Sequence, residues 1–163
     1  MPKCKILMID DEPDLCLLVK GNLEETGEFE VTTSTDPLQT EALCQSQAPD
    51  LILIDNVMPQ RKGSDIVKAL KKENSTKNIP VIMISGKGEM VFIKKKGFQW
   101  QPNNPATRDR GEIVEGKDAE MLAQAYGVDD YISKPFTTEL LIQVVKDVLE
   151  KARKKRERAE EGA

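Results

Sequence analysis

Leu51-Ile52-Leu53-Ile54-Asp55-Asn56-Val57-Met58-Pro59 carries four consecutive apolar side chains into a carboxylate and then a chain-turning Met-Pro. The apolar run is too short for a typical helix and rich in β-branched side chains, which suits a strand covered on both faces. Asp55 therefore stands where a buried strand emerges. A carboxylate there is either a satisfied structural group, such as a cap for the next segment, or a reactive group at the mouth of a crevice. The rest of the chain has to decide between the two.

Working outward, Lys5-Ile6-Leu7-Met8-Ile9 reads as a first strand, ended by Asp10-Asp11-Glu12-Pro13. Pro13 suits the first turn of a helix, and Asp14 to Glu25 sets Leu15, Leu18, Val19 and Leu23 at helical spacing before Gly27 stops it. Phe29 to Thr33 alternates like an edge strand, and a helix from Pro37 to about Gln47 follows, capped by Asp36 or Thr35. After the Asp55 strand, a helix from Ser64 to Glu73 turns Ile66, Val67 and Leu70 inward. Ile79 to Ile84 is again apolar, with Pro80 tolerated near the strand start, and ends at Ser85-Gly86. A helix from Asp118 to Tyr126, a strand at Asp129 to Ser133 and a helix from about Thr138 complete the pattern. That last helix is expected to bury Leu141, Val144, Val145, Val148 and Leu149. Five strands alternating with five helices predict an α/β fold with a parallel sheet and right-handed crossovers.

Residues 87–117 break the alternation. They hold Phe92, Phe98 and Trp100, three of the seven aromatic residues, and seven Lys and Arg against four Asp and Glu, a local charge of +3. A hairpin is expected, with strands near Met90 to Lys94 and Phe98 to Gln101 and a turn at Lys96-Gly97, with a further strand at Glu112 to Val114. Residues 151–163 form a charged helical tail or the start of a linker.

The 163 residues bound the chain to one domain of ordinary size plus a modest appendage, and a net charge of −4 gives no global basic field. Direct nucleic-acid binding is therefore not expected on this charge balance, the more so because acids interrupt the basic run of the 87–117 segment. Cys4, Cys16 and Cys44 are odd in number and without any His, which fits neither a disulfide framework nor a zinc site and suggests reduced thiols in a cytosolic protein. No stretch reaches membrane-spanning length.

In an open parallel sheet, ligands bind beyond the carboxyl ends of the strands. The residues there are Asp10-Asp11, Asp55, Ser85 and Lys134: three carboxylates, a hydroxyl and an ammonium. Clustered carboxylates repel without a cation, and oxygen ligands without His or Cys favour Mg²⁺, which commonly brings a phosphate.

At these positions the chain resembles the receiver domain of two-component response regulators. The resemblance rests on Asp10-Asp11 after the first strand, Asp55 followed by Met58-Pro59 and Gly63, Ser85-Gly86 after the fourth strand, and Asp129-Asp130-Tyr131-Ile132-Ser133-Lys134-Pro135-Phe136. It spans residues 3 to about 150, interrupted at 87–117. It implies a flavodoxin-like, doubly wound, five-stranded parallel sheet in the order 2-1-3-4-5. It further implies that Asp55 accepts a phosphoryl group from a histidine kinase or histidine phosphotransfer protein. Asp10, Asp11, Asp55 and the backbone carbonyl of Val57 would hold Mg²⁺, Lys134 would neutralise phosphoryl oxygens, and Ser85 and Tyr131 would form the conformational switch. A cis Lys134-Pro135 bond is also implied. The chain would then be a Mg²⁺-dependent autophosphorylating phosphoacceptor rather than a conventional turnover enzyme.

Two departures stand out. The insertion lies between the fourth strand and fourth helix, beside the surface that changes in this family, and is expected to serve docking or homodimerisation. Val57 and Lys87 sit where the family tunes hydrolysis, and a branched apolar Val57 cannot orient water. The alternative function is a pseudo-receiver that keeps the fold as a phosphorylation-independent interaction module.

Overall fold

A computed structural model describes residues 2–86, 90–93, 97–100, 123–124 and 126–162. Strands β1 (Cys4–Ile9), β2 (Phe29–Ser34), β3 (Leu51–Asp55), β4 (Val81–Ser85) and β7 (Asp130–Ser133) form one sheet in the order β2-β1-β3-β4-β7, with every neighbouring pair parallel. With the separate hairpin set aside, this is the expected order 2-1-3-4-5. Helices α1 (Pro13–Glu25), α2 (Thr40–Gln47), α3 (Gly63–Lys72) and a C-terminal helix (Thr138–Glu161) accompany it.

Side-chain alternation along the strands builds two apolar layers. Ile6, Met8, Leu51, Leu53, Ile82, Ile84 and Ile132 meet Cys16, Val19 and Leu23 of α1 and Leu141, Val145 and Val148 of the C-terminal helix. On the opposite face, Leu7, Ile9, Ile52, Ile54, Val81 and Met83 meet Cys44 of α2, Ile66, Val67 and Leu70 of α3, and Ala123 and Val128. All of β3 is buried, and each such Leu or Ile contributes about 1.5–3 kcal/mol. The sheet is therefore packed on both faces, and the segments at its carboxyl edge hold the chemistry.

Some local expectations shift. Leu18 is 59% exposed and Leu17 67%, because α1 presents Cys16, Val19 and Leu23 to the sheet. Val144 and Leu149 are only partly buried. The segment after Asp36 opens as a 3-10 turn (Pro37–Gln39) before α2, with the Asp36 carboxylate accepting from the Leu38 N–H. Strand β4 starts at Val81 rather than Ile79. Pro80 has no N–H to pair, and the Val81 N–H donates to the Asp129 side chain at 2.8 Å.

Strands β5 (Met90–Ile93) and β6 (Gly97–Trp100) pair antiparallel with Phe92 opposite Phe98. The expected turn residue Lys96, the strand at Glu112 to Val114 and most of the helix from Asp118 lie outside the described residues. Residues 123, 124 and 126 are helical, and the C-terminal helix continues through the charged tail to Glu161.

Candidate functional site

Parallel pairing brings the carboxyl ends of β1, β3, β4 and β7 to one edge of the sheet. Asp10 leaves β1 fully buried, its Oδ1 accepting from the Glu12 N–H at 2.9 Å and its Oδ2 from Lys134 Nζ at 3.0 Å. The same ammonium lies 3.6 Å from Asp55 Oδ2 and 3.4 Å from Glu12 Oε1. Carboxylate oxygens of Asp10, Asp11 and Asp55 all fall within 4.8 Å of one another. Burial pushes the Asp10 carboxyl up from its ordinary pKa, with the Glu12 N–H and Lys134 pulling the other way. Burial likewise opposes charge on Lys134, but Asp55, Asp10 and Glu12 outweigh it and hold the ammonium above its usual range.

This donor set fits a hard divalent cation. Three carboxylates with no sulfur or imidazole suit Mg²⁺, and one ammonium does not balance their charge. The structure thus brings together Asp10, Asp11, Asp55 and Lys134. Ser85 ends β4 wholly buried, and its Oγ has no hydrogen-bond partner among the described residues. Such an orphaned hydroxyl suits an acceptor that arrives later. Ser85 is tied to the opposite side of the site, since the Lys134 N–H donates to the Ser85 carbonyl at 2.7 Å. The Lys134-Pro135 bond is cis, as expected. Val57 is exposed, whereas Tyr131 is buried, its ring already inward and stacked on Tyr126 at 6.4 Å between centroids. Lys87 lies outside the described residues.

The loop after Asp55 is held more firmly than its sequence suggests. The Gly63 N–H donates to the Asn56 carbonyl at 2.9 Å, and a Cβ on Gly63 would stand 2.1 Å from the Asp55 carbonyl oxygen. Only glycine allows α3 to start this close to β3. Arg61 forks onto Glu41 of α2 at 2.6 and 2.8 Å, and the side-chain hydrogen bond lowers the Glu41 pKa. Asn56, Arg61 and Tyr126 were not singled out by sequence reasoning. A signal was present only for Asn56, a polar residue directly following a fully apolar strand.

A family model described as the response regulator receiver domain matches residues 6–99, more than half of the chain. The chain belongs to that family. The receiver domain is 31% identical over 149 residues to the phosphate regulon transcriptional regulatory protein PhoB of Rhizobium meliloti (strain 1021), covering 91% of the chain and 53% of that protein. It is 29% identical to the DNA-binding dual master transcriptional regulator RpaA of Synechocystis sp., covering 89% of the chain and 48% of the relative. Among solved structures, NtrX from Brucella abortus superposes with a TM-score of 0.71 at 28% identity, over 98% of this chain and 29% of that one. The Francisella response regulator 1452 receiver domain gives 0.65 at 25%, over 91% and 98%.

The receiver domain spans about half the length of these curated relatives. The sequence-based expectation against direct nucleic-acid binding is not borne out by them, since they are named transcriptional regulators and one is named DNA-binding. Net charge over this chain does not speak for the remaining length of those relatives. Response regulators work with histidine kinases, the partner class expected here. Among the described residues, no helix is long and apolar enough to cross a membrane.

Proposed function

We propose that Asp55 is the phosphoacceptor of this receiver domain and takes its phosphoryl group from a phosphohistidine on a histidine kinase or phosphotransfer protein. An Asp55 carboxylate oxygen attacks phosphorus, the P–N bond breaks with its electron pair returning to the imidazole, and an acyl phosphate forms. Asp10, Asp11, Asp55 and the Val57 carbonyl would hold Mg²⁺, which neutralises developing phosphoryl charge when bound. Lys134, already 3.6 Å from Asp55, supplies a second positive charge, and the buried Ser85 hydroxyl donates to the transferred group. Tyr131, on the strand that ends just before Lys134, forms the switch with Ser85.

One observation carries this reading: three carboxylates within 4.8 Å share an edge with the Lys134 ammonium and an orphaned buried hydroxyl. A merely structural cap would need neither the third acid nor the hydroxyl. Residues 87–117 are proposed as a docking or self-association element of a cytoplasmic signalling protein, with the change at Asp55 passed on to an output.

The test is label transfer from a ³²P-phosphohistidine donor. Label should pass to the wild-type chain with Mg²⁺ and not to Asp55→Asn. Binding of the donor without transfer would favour the phosphorylation-independent module.

A further inference from the structure

Asn56 is buried directly after Asp55, and four of its polar groups are engaged. Its N–H donates to the Ile84 carbonyl at 3.2 Å, and its carbonyl accepts from Gly63 at 2.9 Å. Its Oδ1 accepts from the Ser64 N–H at 3.2 Å, and its Nδ2 donates to the Tyr126 hydroxyl at 3.3 Å. Three of these contacts bind the loop to β4 and α3, its neighbours in the chain and the sheet. The fourth reaches a residue 70 positions away, in the helical segment where the chain re-enters the fold after the insertion.

An apolar side chain would fill this space without needing polar partners, so the amide is explained by what it recognises. The Tyr126 ring lies within 6° of parallel to Tyr131, which stands three residues before Lys134 on β7. Lys134 returns to Asp55 at 3.6 Å. Asp55, Asn56, Tyr126, Tyr131 and Lys134 thus form a closed circuit around the site, in which the Asn56–Tyr126 hydrogen bond joins the Asp55 loop to the helical segment that follows the insertion.

We propose that Asn56 and Tyr126 are positioning residues for phosphoryl transfer: their hydrogen bond fixes the Asn56-Val57 backbone beside Asp55 and passes the state of Asp55 to the segment that follows the insertion. The inference rests on Asp55 being the phosphoacceptor.

Tyr126 and Tyr131 are the only two tyrosines of the chain, so 3-fluorotyrosine in a Tyr131→Phe background gives a single ¹⁹F resonance, from Tyr126. Acetyl phosphate with Mg²⁺ should shift that resonance as the intact mass rises by one phosphoryl, about 80 Da. Adding Asn56→Leu should reduce that shift several-fold, read at an acetyl phosphate concentration high enough to restore the full mass gain. A full mass gain with no ¹⁹F shift, or an equal shift without Asn56, would overturn the inference alone. No mass gain in the wild-type chain would overturn the reading of Asp55 on which it stands. Tyr126→Phe, which removes only the hydroxyl, covers the case in which Asn56→Leu fails to fold. It should raise the acetyl phosphate concentration needed for half-phosphorylation by about two- to tenfold, the equivalent of one neutral hydrogen bond. An unchanged requirement would refute the positioning role.

Discussion

Replacing Gly63 by alanine probes the junction that sets Asp55 against α3. The new Cβ would stand 2.1 Å from the Asp55 carbonyl oxygen and 3.0 Å from Asn56 Cα, where ordinary contact begins at 3.4 Å, so the backbones must separate by 3.4 − 2.1 = 1.3 Å. Neither side yields readily. Strand β3 is paired on both edges and wholly buried, and α3 is anchored by Ile66, Val67 and Leu70. Overpacking of this kind costs about 1–3 kcal/mol, and stretching the Gly63–Asn56 hydrogen bond adds about 0.5–1.5 kcal/mol. The expected loss is about 2–4 kcal/mol, a fall in Tm of about 5–15 °C for a domain of this size. Urea and thermal unfolding followed by circular dichroism read both quantities. Gly21→Ala is the matched control. It lies inside α1 with nothing within 4 Å of a new Cβ, so alanine there should stabilise by about 0.5–1 kcal/mol. Unchanged stability of Gly63→Ala, or equal losses in both variants, would refute the close-approach argument.

Three further outcomes are expected. Because Val57 cannot orient an attacking water, the phosphorylated form should be long-lived, and Val57→Asn should shorten its half-life several-fold; an unaltered decay would count against that role. In the metal-free protein Asp10 has a raised pKa, so its ionisation costs stability as pH rises through the folded value; Asp10→Asn should raise the metal-free Tm at pH 7 yet remove the gain on adding Mg²⁺, which at 100 times Kd is about 2.7 kcal/mol, and a full Mg²⁺ gain in this variant would contradict the assigned ligand set. Burial pushes the Cys16 and Cys44 thiols up to about 11, leaving them protonated at pH 8, so iodoacetamide should label the partly exposed Cys4 first and the other two only after unfolding; equal native rates would refute the burial assigned to them.

The parts of the fold most legible in the sequence are those set by local pattern. The apolar runs of β3 and β4 allow no other placement than the sheet centre, and the alternation in β2 marks its edge. Parallel pairing then carries Asp10, Asp55, Ser85 and Lys134 to one edge without further information. Legibility failed where the outcome depends on distant neighbours. Leu18 fits a helical stripe as well as Cys16 does, and only the direction from which α1 meets the sheet separates them. The start of β4 depends on the Asp129 carboxylate, 48 positions away, receiving the Val81 N–H. Likewise, nothing local to Asn56 announces Tyr126, and the glycine at 63 shows its purpose only once α3 is seen against β3.

Acceptance of a phosphoryl group by Asp55 is tested most directly by intact mass after incubation with acetyl phosphate. With Mg²⁺ the wild-type chain should gain about 80 Da, and the gain should vanish in Asp55→Asn and in chelator. A wild-type mass that stays unchanged while the protein is folded, or an equal gain in Asp55→Asn, would contradict the account.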